Sequence, residues 1–135
     1  MTIIIRQIAK AIIYHEGKFL LQLRDNRPDI AYPNCWSFFG GEIESEETPW
    51  QALQREVEEE LEWRPLKGSF LYKRLSLEEF CCIHFFDVFF TGNKKKLVLN
   101  EGQALGWFTM KNIDQNDAKF THVRQHLIHY MNRFG

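Results

Sequence analysis

The stretch from Thr48 to Trp63, Thr-Pro-Trp-Gln-Ala-Leu-Gln-Arg-Glu-Val-Glu-Glu-Glu-Leu-Glu-Trp, constrains the fold of this chain more than any other. Thr48 suits a helix N-cap, Pro49 suits the first helical position, and Gln51 completes a capping box. Trp50, Leu53, Val57 and Leu61 recur on one helical stripe, which must be covered by an apolar layer elsewhere in the chain. Glu56, Glu59 and Glu60 stand at i, i+3 and i+4 and share a face about a quarter to a third of a turn from that stripe. They therefore border the core, where a cleft can form. Like charges at this spacing cost roughly 0.2–0.5 kcal/mol per pair. Glu58 adds a fourth charge, and the macrodipole disfavours anions near a helix C-terminus by roughly 0.3–1 kcal/mol each. A bound cation reverses the sign of both terms. The plainer reading of the same residues is a solvated acidic face.

The rest of the chain supplies the covering layer. Ile8 to Tyr14 and Phe19 to Leu23 read as strands joined by the turn His15-Glu16-Gly17-Lys18, a β-hairpin. Arg24 to Asn34, with Pro28 and Pro33, reads as a loop. Trp36-Ser37-Phe38-Phe39 runs into Gly40-Gly41, a glycine pair that marks a sharp backbone change or a close approach. Phe70 to Leu75 and Phe80 to Phe90 read as two strands around Leu77-Glu78-Glu79, and Leu105 to Phe108 as a short one. Phe120 to Arg133, with Val123, Leu127 and Tyr130 on one side, predicts a closing helix. Strands with two substantial helices imply an α/β architecture, a mixed sheet sandwiched between helices.

The 135 residues suit one domain, 1–135, and no internal repeat or linker divides them. A net charge of −1 gives no basic surface for duplex nucleic acid. No apolar run reaches the roughly 20 residues needed to span a bilayer, and Met1 to Arg6 does not read as a signal peptide, so the expected location is cytoplasmic. Cys35, Cys81 and Cys82 form neither a disulfide framework nor a zinc pattern and are expected as reduced, mostly buried thiols.

From Gly41 to Trp63 the sequence resembles the Nudix box, G-x5-E-x7-R-E-U-x-E-E-x-G-U, where U is a bulky apolar residue. Gly41, Glu47, Arg55, Glu56, Val57, Glu59, Glu60 and Trp63 fall on motif positions with the spacing intact. Two positions depart from the family's pattern. Glu62 stands where the motif has its second glycine, and Phe39 stands where many members have proline. A non-glycine residue kept in the left-handed geometry usual at that second glycine costs roughly 1–2 kcal/mol.

The resemblance implies hydrolysis of a nucleoside diphosphate linked to another group, with Mg²⁺, or Mn²⁺ in its place, neutralising phosphate oxygens. It implies Glu59 and Glu60 as the main metal ligands and the Gly40 carbonyl as a further one. Glu56 is either a ligand or the base that activates water. Arg55 and Glu47 are similar to a motif pair that braces the loop and the catalytic carboxylate, Arg55 orienting rather than exchanging protons. Asn100-Glu101-Gly102-Gln103 before Trp107 is similar to a Glu-Gly-Gln in the MutT-type branch, whose members hydrolyse nucleoside triphosphates. There the glutamate is a distal metal ligand or base, which makes Glu101 a candidate.

Arg24, Arg27 and Lys73 are candidates for phosphate contacts, and His122 for a substrate base. Trp36, Phe38 and Phe86 could stack on a base or pack in the core, and His84 reads as packed. The Lys94-Lys95-Lys96 turn reads as solvated. The leading reading is a nucleoside triphosphate pyrophosphohydrolase giving nucleoside monophosphate and pyrophosphate, with an oxidised purine nucleotide as substrate by analogy. A nucleotide-sugar or dinucleoside-polyphosphate hydrolase stays open, as does a non-catalytic nucleotide-binding domain. The expected partner is a small-molecule nucleotide, with no membrane, and a homodimer is left open.

Overall fold

In the computed structural model, which describes residues 2–113 and 117–134, a ten-residue strand, β1 (Arg6–His15), runs through the middle of a seven-stranded mixed sheet. The predicted hairpin forms: β2 (Lys18–Leu23) folds back through the turn at Glu16-Gly17 and pairs antiparallel with β1 from Ile13↔Leu20 to His15↔Lys18. Beyond Ile13 the two strands part, and that edge of β1 is taken over by β4 (Phe39–Glu42), from Ile8↔Glu42 to Ala11↔Phe39. β3 (Trp36–Ser37) meanwhile pairs with Gln22 and Leu23 of β2. The segment from Trp36 to Glu42 therefore begins on β2 and ends on β1, bridging a split in the sheet.

The other edge of β1 pairs in parallel with β6 (Cys81–Phe89), from Arg6↔Cys81 to Tyr14↔Phe89, and β5 (Gly68–Ser76) forms an antiparallel hairpin with β6. β7 (Ala104–Phe108) lies antiparallel on the far side of β2. Helices cover both faces. The first, α1 (Pro49–Leu61), has Thr48 as N-cap with the full capping box to Gln51. Its residues Leu53, Val57 and Leu61 are fully buried with Ala9, Ala11 and Ile13 of β1. Each such side chain contributes roughly 1.5–3 kcal/mol by leaving water, enough to offset the crowding of carboxylates on the neighbouring face.

A four-residue helix that the sequence reading had not singled out, α2 (Met110–Ile113), leads toward the closing helix α3 (Thr121–Arg133). Val123, Leu127 and Tyr130 of α3 pack on Ile12, Leu21, Phe38 and Phe85, the opposite face of the sheet. The three cysteines are free, with Cys81 buried and the other two half-buried. No helix among the described residues is long and apolar enough to cross a membrane.

Alternation along β1 explains one placement that matters below. Successive side chains of a strand point to opposite faces, so Ala9, Ala11 and Ile13 meet α1 while Ile12 meets α3. Ile8 and Lys10 share the face of Ile12, and both line a cavity beside α3.

Candidate active site

The glutamate face of α1 is graded in depth. Glu60 is buried, Glu56 is half-buried, and Glu59 is exposed. Glu60 Oε1 accepts the Gly40 N–H at 3.1 Å and Oε2 accepts Gln22 Nε2 at 3.2 Å, so this carboxylate sits at the split between β2 and β4. Burial pushes its carboxyl well above the usual carboxylate range, and Glu101 and Glu56 push the same way, while Lys10 opposes. Burial likewise lowers Lys10, with Glu60 holding it up.

Gly40 and Gly41 make this approach feasible for different reasons. Gly40 has φ +141, and a Cβ there would lie 2.0 Å from the Ala9 carbonyl oxygen. A Cβ on Gly41 would meet the Glu56 carboxylate at 2.4 Å. The first glycine lets β4 lie against β1, whatever its carbonyl binds. The second leaves space for Glu56 over the bend.

Arg55 organises the loop between β4 and α1. Its Nε and Nη2 reach the two oxygens of Glu47 at 2.7 and 3.0 Å, a bidentate pair. Nη1 donates to Glu56 at 2.9 Å and lies 3.6 Å from Glu59, and Nη2 also donates to the Glu42 carbonyl. Glu47 in turn accepts the Glu44 N–H at 2.9 Å. These bonds hold the Glu47 carboxyl below its ordinary value and raise the Arg55 guanidinium further above its own. One planar cation thus brackets two of the helix carboxylates and closes the loop.

Glu62 ends α1 in the left-handed conformation, φ 54 and ψ 32, with its N–H bonded to the Glu58 carbonyl. The geometry usual for glycine is kept although the residue is not glycine. The departure at Phe39 is absorbed by packing, since that ring is fully buried.

The loop before β7 is stitched to the same helix end. The Asn100 N–H donates to the Glu60 carbonyl at 2.9 Å, and Asn100 Nδ2 donates to the Glu59 carbonyl and to the Glu62 carboxylate. Gly102, at φ +85, packs against the Leu23 carbonyl, and Gln103 bonds back to Leu23, Arg24 and Asn34. These contacts bring exposed Glu101 to the carboxylate face, close enough that Glu60 feels its charge. Glu101, Gln22, Arg24 and Arg27 line one small cavity of about 90 Å³.

A larger cavity of about 410 Å³ opens beside it, with Arg24, Lys10, Ser37, Tyr32 and His122 among its walls. Arg24 reaches both cavities and is braced by its Nε bond to the Ala31 carbonyl at 2.8 Å. Arg27 is exposed and paired with Asp29. His122 stacks on Tyr32 with ring centroids 4.0 Å apart, and the Tyr32 hydroxyl donates to Glu79 at 2.6 Å. Burial lowers His122 to about 4, so its imidazole is neutral at pH 7 and can both donate and accept a hydrogen bond.

The weaker candidates separate cleanly. Phe38 and Phe86 are buried in the two cores, and Trp36 packs edge-on against Phe108. His84 bonds Gln7, and Lys73 is exposed beside it on β5. The lysine turn is less solvated than expected, because Lys94 lies over the Trp107 ring at 4.2 Å. Sequence reasoning missed Lys10, Gln22 and Tyr32. Lys10 carried a signal, a charge inside the apolar strand Ile8–Tyr14, whereas Gln22 and Tyr32 carried none.

The carboxylates suit a hard divalent cation in chemistry, since all donors are oxygen and Glu60 is destabilised in its charged form chiefly by burial. Among the described residues, no three His, Cys, Asp or Glu side chains are gathered tightly enough to hold a metal as they stand. Arg55 engages Glu56 and lies close to Glu59.

The NUDIX domain model matches residues 5–131, and the chain belongs to the Nudix family. Over 65 residues it is 38% identical to the CTP pyrophosphohydrolase of Escherichia coli (strain K12), a match covering 48% of this chain and 47% of that protein. The matched stretch is thus about half the length of that curated relative. The solution structure of the E. coli ORF135 protein superposes with a TM-score of 0.64 at 30% identity, covering 82% of this chain and 77% of the other. A MutT protein from Methanosarcina mazei has the same fold, with a TM-score of 0.73 at 20% identity over 98% of this chain and 99% of its own.

Proposed function

We propose that residues 1–135 act as one catalytic domain that hydrolyses a phosphoanhydride bond in a nucleoside diphosphate derivative. The preferred substrate is a nucleoside triphosphate, and the products are a nucleoside monophosphate and pyrophosphate. The observation that carries this reading is the continuity of two cavities at Arg24, which lines both the one of about 410 Å³ and the small one walled by Glu101 and by Gln22, whose side chain bonds Glu60. A nucleoside occupies the cavity, and its phosphates extend over Glu56, Glu59 and Glu60.

Those three glutamates, Glu101 and the Gly40 carbonyl are the groups that would hold Mg²⁺ or Mn²⁺, which would supply charge neutralisation on the phosphate oxygens and ease attack by water. The chain's own part is positional. Arg55 fixes Glu56 and the loop through Glu47. Glu56 or Glu101 accepts the proton of the attacking water. Arg24 meets phosphate oxygens as a fixed cation, Arg27 once released from Asp29, and neutral His122 recognises the base edge.

A cytidine nucleotide is a second candidate substrate beside an oxidised purine nucleotide, supported by the 38% identity to a CTP pyrophosphohydrolase. The test is a panel of nucleoside triphosphates, nucleotide sugars and dinucleoside polyphosphates with Mg²⁺, scored by product identity. Release of pyrophosphate with a nucleoside monophosphate from one triphosphate is the expected result. Folded protein that releases no phosphate-containing product from any class in Mg²⁺ or Mn²⁺ would overturn the proposal.

A further inference from the structure

Lys10 has no packing reason to be a lysine. It lies in the central strand between Ile8 and Ile12, where an apolar side chain would satisfy the core. The strand face that it shares with Ile8 opens onto the cavity of about 410 Å³. Its Nζ donates to the Phe38 carbonyl at 3.4 Å, a long bond to one acceptor for a group that carries three donors. Glu60, Glu101 and Glu56 all act on its charge, yet among the described residues no carboxylate forms a direct ion pair with it. Glu60 instead spends its two oxygens on Gly40 and Gln22.

The ammonium therefore stands at the junction of two regions, held near the glutamates by the split between β2 and β4 and presented to the cavity by the pleat of β1. A ligand with its nucleoside in the cavity and its phosphates over the carboxylate face passes this point. There the glutamates repel it, and opposite charge at close range is most effective where water is excluded.

We propose that Lys10 is a substrate-binding residue that grips the phosphate attached directly to the nucleoside, so that recognition of the nucleotide couples the cavity to the carboxylate face. The inference deepens the hydrolase reading above and rests on it. Lys10 thus selects a phosphorylated nucleoside over a bare one, adding to the cation that Arg24 presents from the same cavity wall.

The test is equilibrium binding without divalent metal, by calorimetry, of cytidine and guanosine and of their 5′-monophosphates to the full chain. In the unsubstituted protein at least one monophosphate should bind more tightly than its nucleoside. In Lys10→Met that preference should fall by about ten- to hundredfold, the usual contribution of a hydrogen bond between charged partners, with nucleoside affinity unchanged. Lys10→Arg should restore most of it. Lys10→Gln, which keeps a donor without the charge, serves if the methionine variant does not fold, and it should show the same loss. An unchanged ratio in a folded variant, or no preference for either monophosphate in the unsubstituted protein, would overturn the role of Lys10. A retained Lys10-dependent preference in a protein that hydrolyses no member of the substrate panel would instead overturn the hydrolase reading alone.

Discussion

Replacing Glu62 by glycine should raise the stability of the fold. Glu62 holds φ 54 and ψ 32 at the end of α1, and its N–H caps the Glu58 carbonyl. A side chain in this conformation brings Cβ too close to the neighbouring carbonyl, at roughly 1–2 kcal/mol, which glycine avoids. The substitution also removes a charge three and four residues after Glu59 and Glu58, worth roughly 0.2–0.5 kcal/mol per pair. Against this, glycine gives the unfolded chain more freedom, by roughly 0.4–1 kcal/mol, and the exposed hydrogen bond from Asn100 to the Glu62 carboxylate is lost. Asn100 stays anchored by its 2.9 Å bond to the Glu59 carbonyl, so the loop carrying Glu101 should keep its place.

The cleaner comparison is Glu62→Gly against Glu62→Ala, because both lose the charge and the hydrogen bond and only one keeps a Cβ. The glycine variant should be the more stable by about 1 kcal/mol, read by urea denaturation at constant slope, with a melting temperature higher by roughly 3–5 °C. Equal stability of the two variants would show that the left-handed cap at Glu62 carries no strain.

Glu60→Gln keeps the shape of a buried side chain and removes its charge, so melting should be unchanged or slightly higher while kcat/KM falls by at least about a hundredfold. The same variant should lose most of the rise in melting temperature that a saturating divalent cation gives the parent, which corresponds to a stabilisation of about 2.7 kcal/mol at a hundred times Kd. Arg55→Lys cannot hold Glu47 in a bidentate pair and also reach Glu56 and the Glu42 carbonyl. It should cost about 1–2 kcal/mol and speed hydrogen exchange at the Glu44 amide, whose acceptor is Glu47.

Burial lowers His122 and His126 to about 4 from 6.5, so between these values the unfolded chain binds more protons than the folded one. Stability should be full above pH 6.5 and decline as the pH falls toward 4, by about 2 kcal/mol per imidazole at pH 5. Denaturation of His126→Gln at pH 7.5 and 5 checks this. A pH dependence as steep as the parent's would show that burial of His126 does not set it.

Much of the architecture was legible in the residues because it depends on neighbours along the chain. Thr48, Pro49 and Gln51 specify the start of α1 through bonds within one turn, and Leu53, Val57 and Leu61 specify its buried side through their period. The resemblance of Gly41, Glu47, Arg55 and Glu56 to the Nudix box likewise implied a brace at this loop, and Arg55 bonds Glu47 and Glu56. The helix end at Glu62 was legible only as a question, because the choice between relaxing the backbone and keeping it strained depends on what surrounds it. The bonds from Asn100 lie on its strained side.

Tertiary structure alone decided how unlike the three glutamates are. Periodicity places Glu56, Glu59 and Glu60 on one face, yet only Glu60 enters the split between β2 and β4, because strand pairing across distant segments opens that gap there. The same gap brings Lys10, fifty residues away in sequence, into the field of Glu60 and the cavity. Tyr32 and His122, ninety residues apart, meet for the same reason: side chains from separate elements become neighbours only once the sheet has chosen its partners. The sequence by itself determined which acidic groups share a face of α1 and which side of that helix is apolar, since both are written in short-range spacing. Which of those groups is buried, what opposes its charge and which cavities open beside it were decided by long-range packing, because burial and electrostatic fields belong to the assembled sheet and not to any one segment.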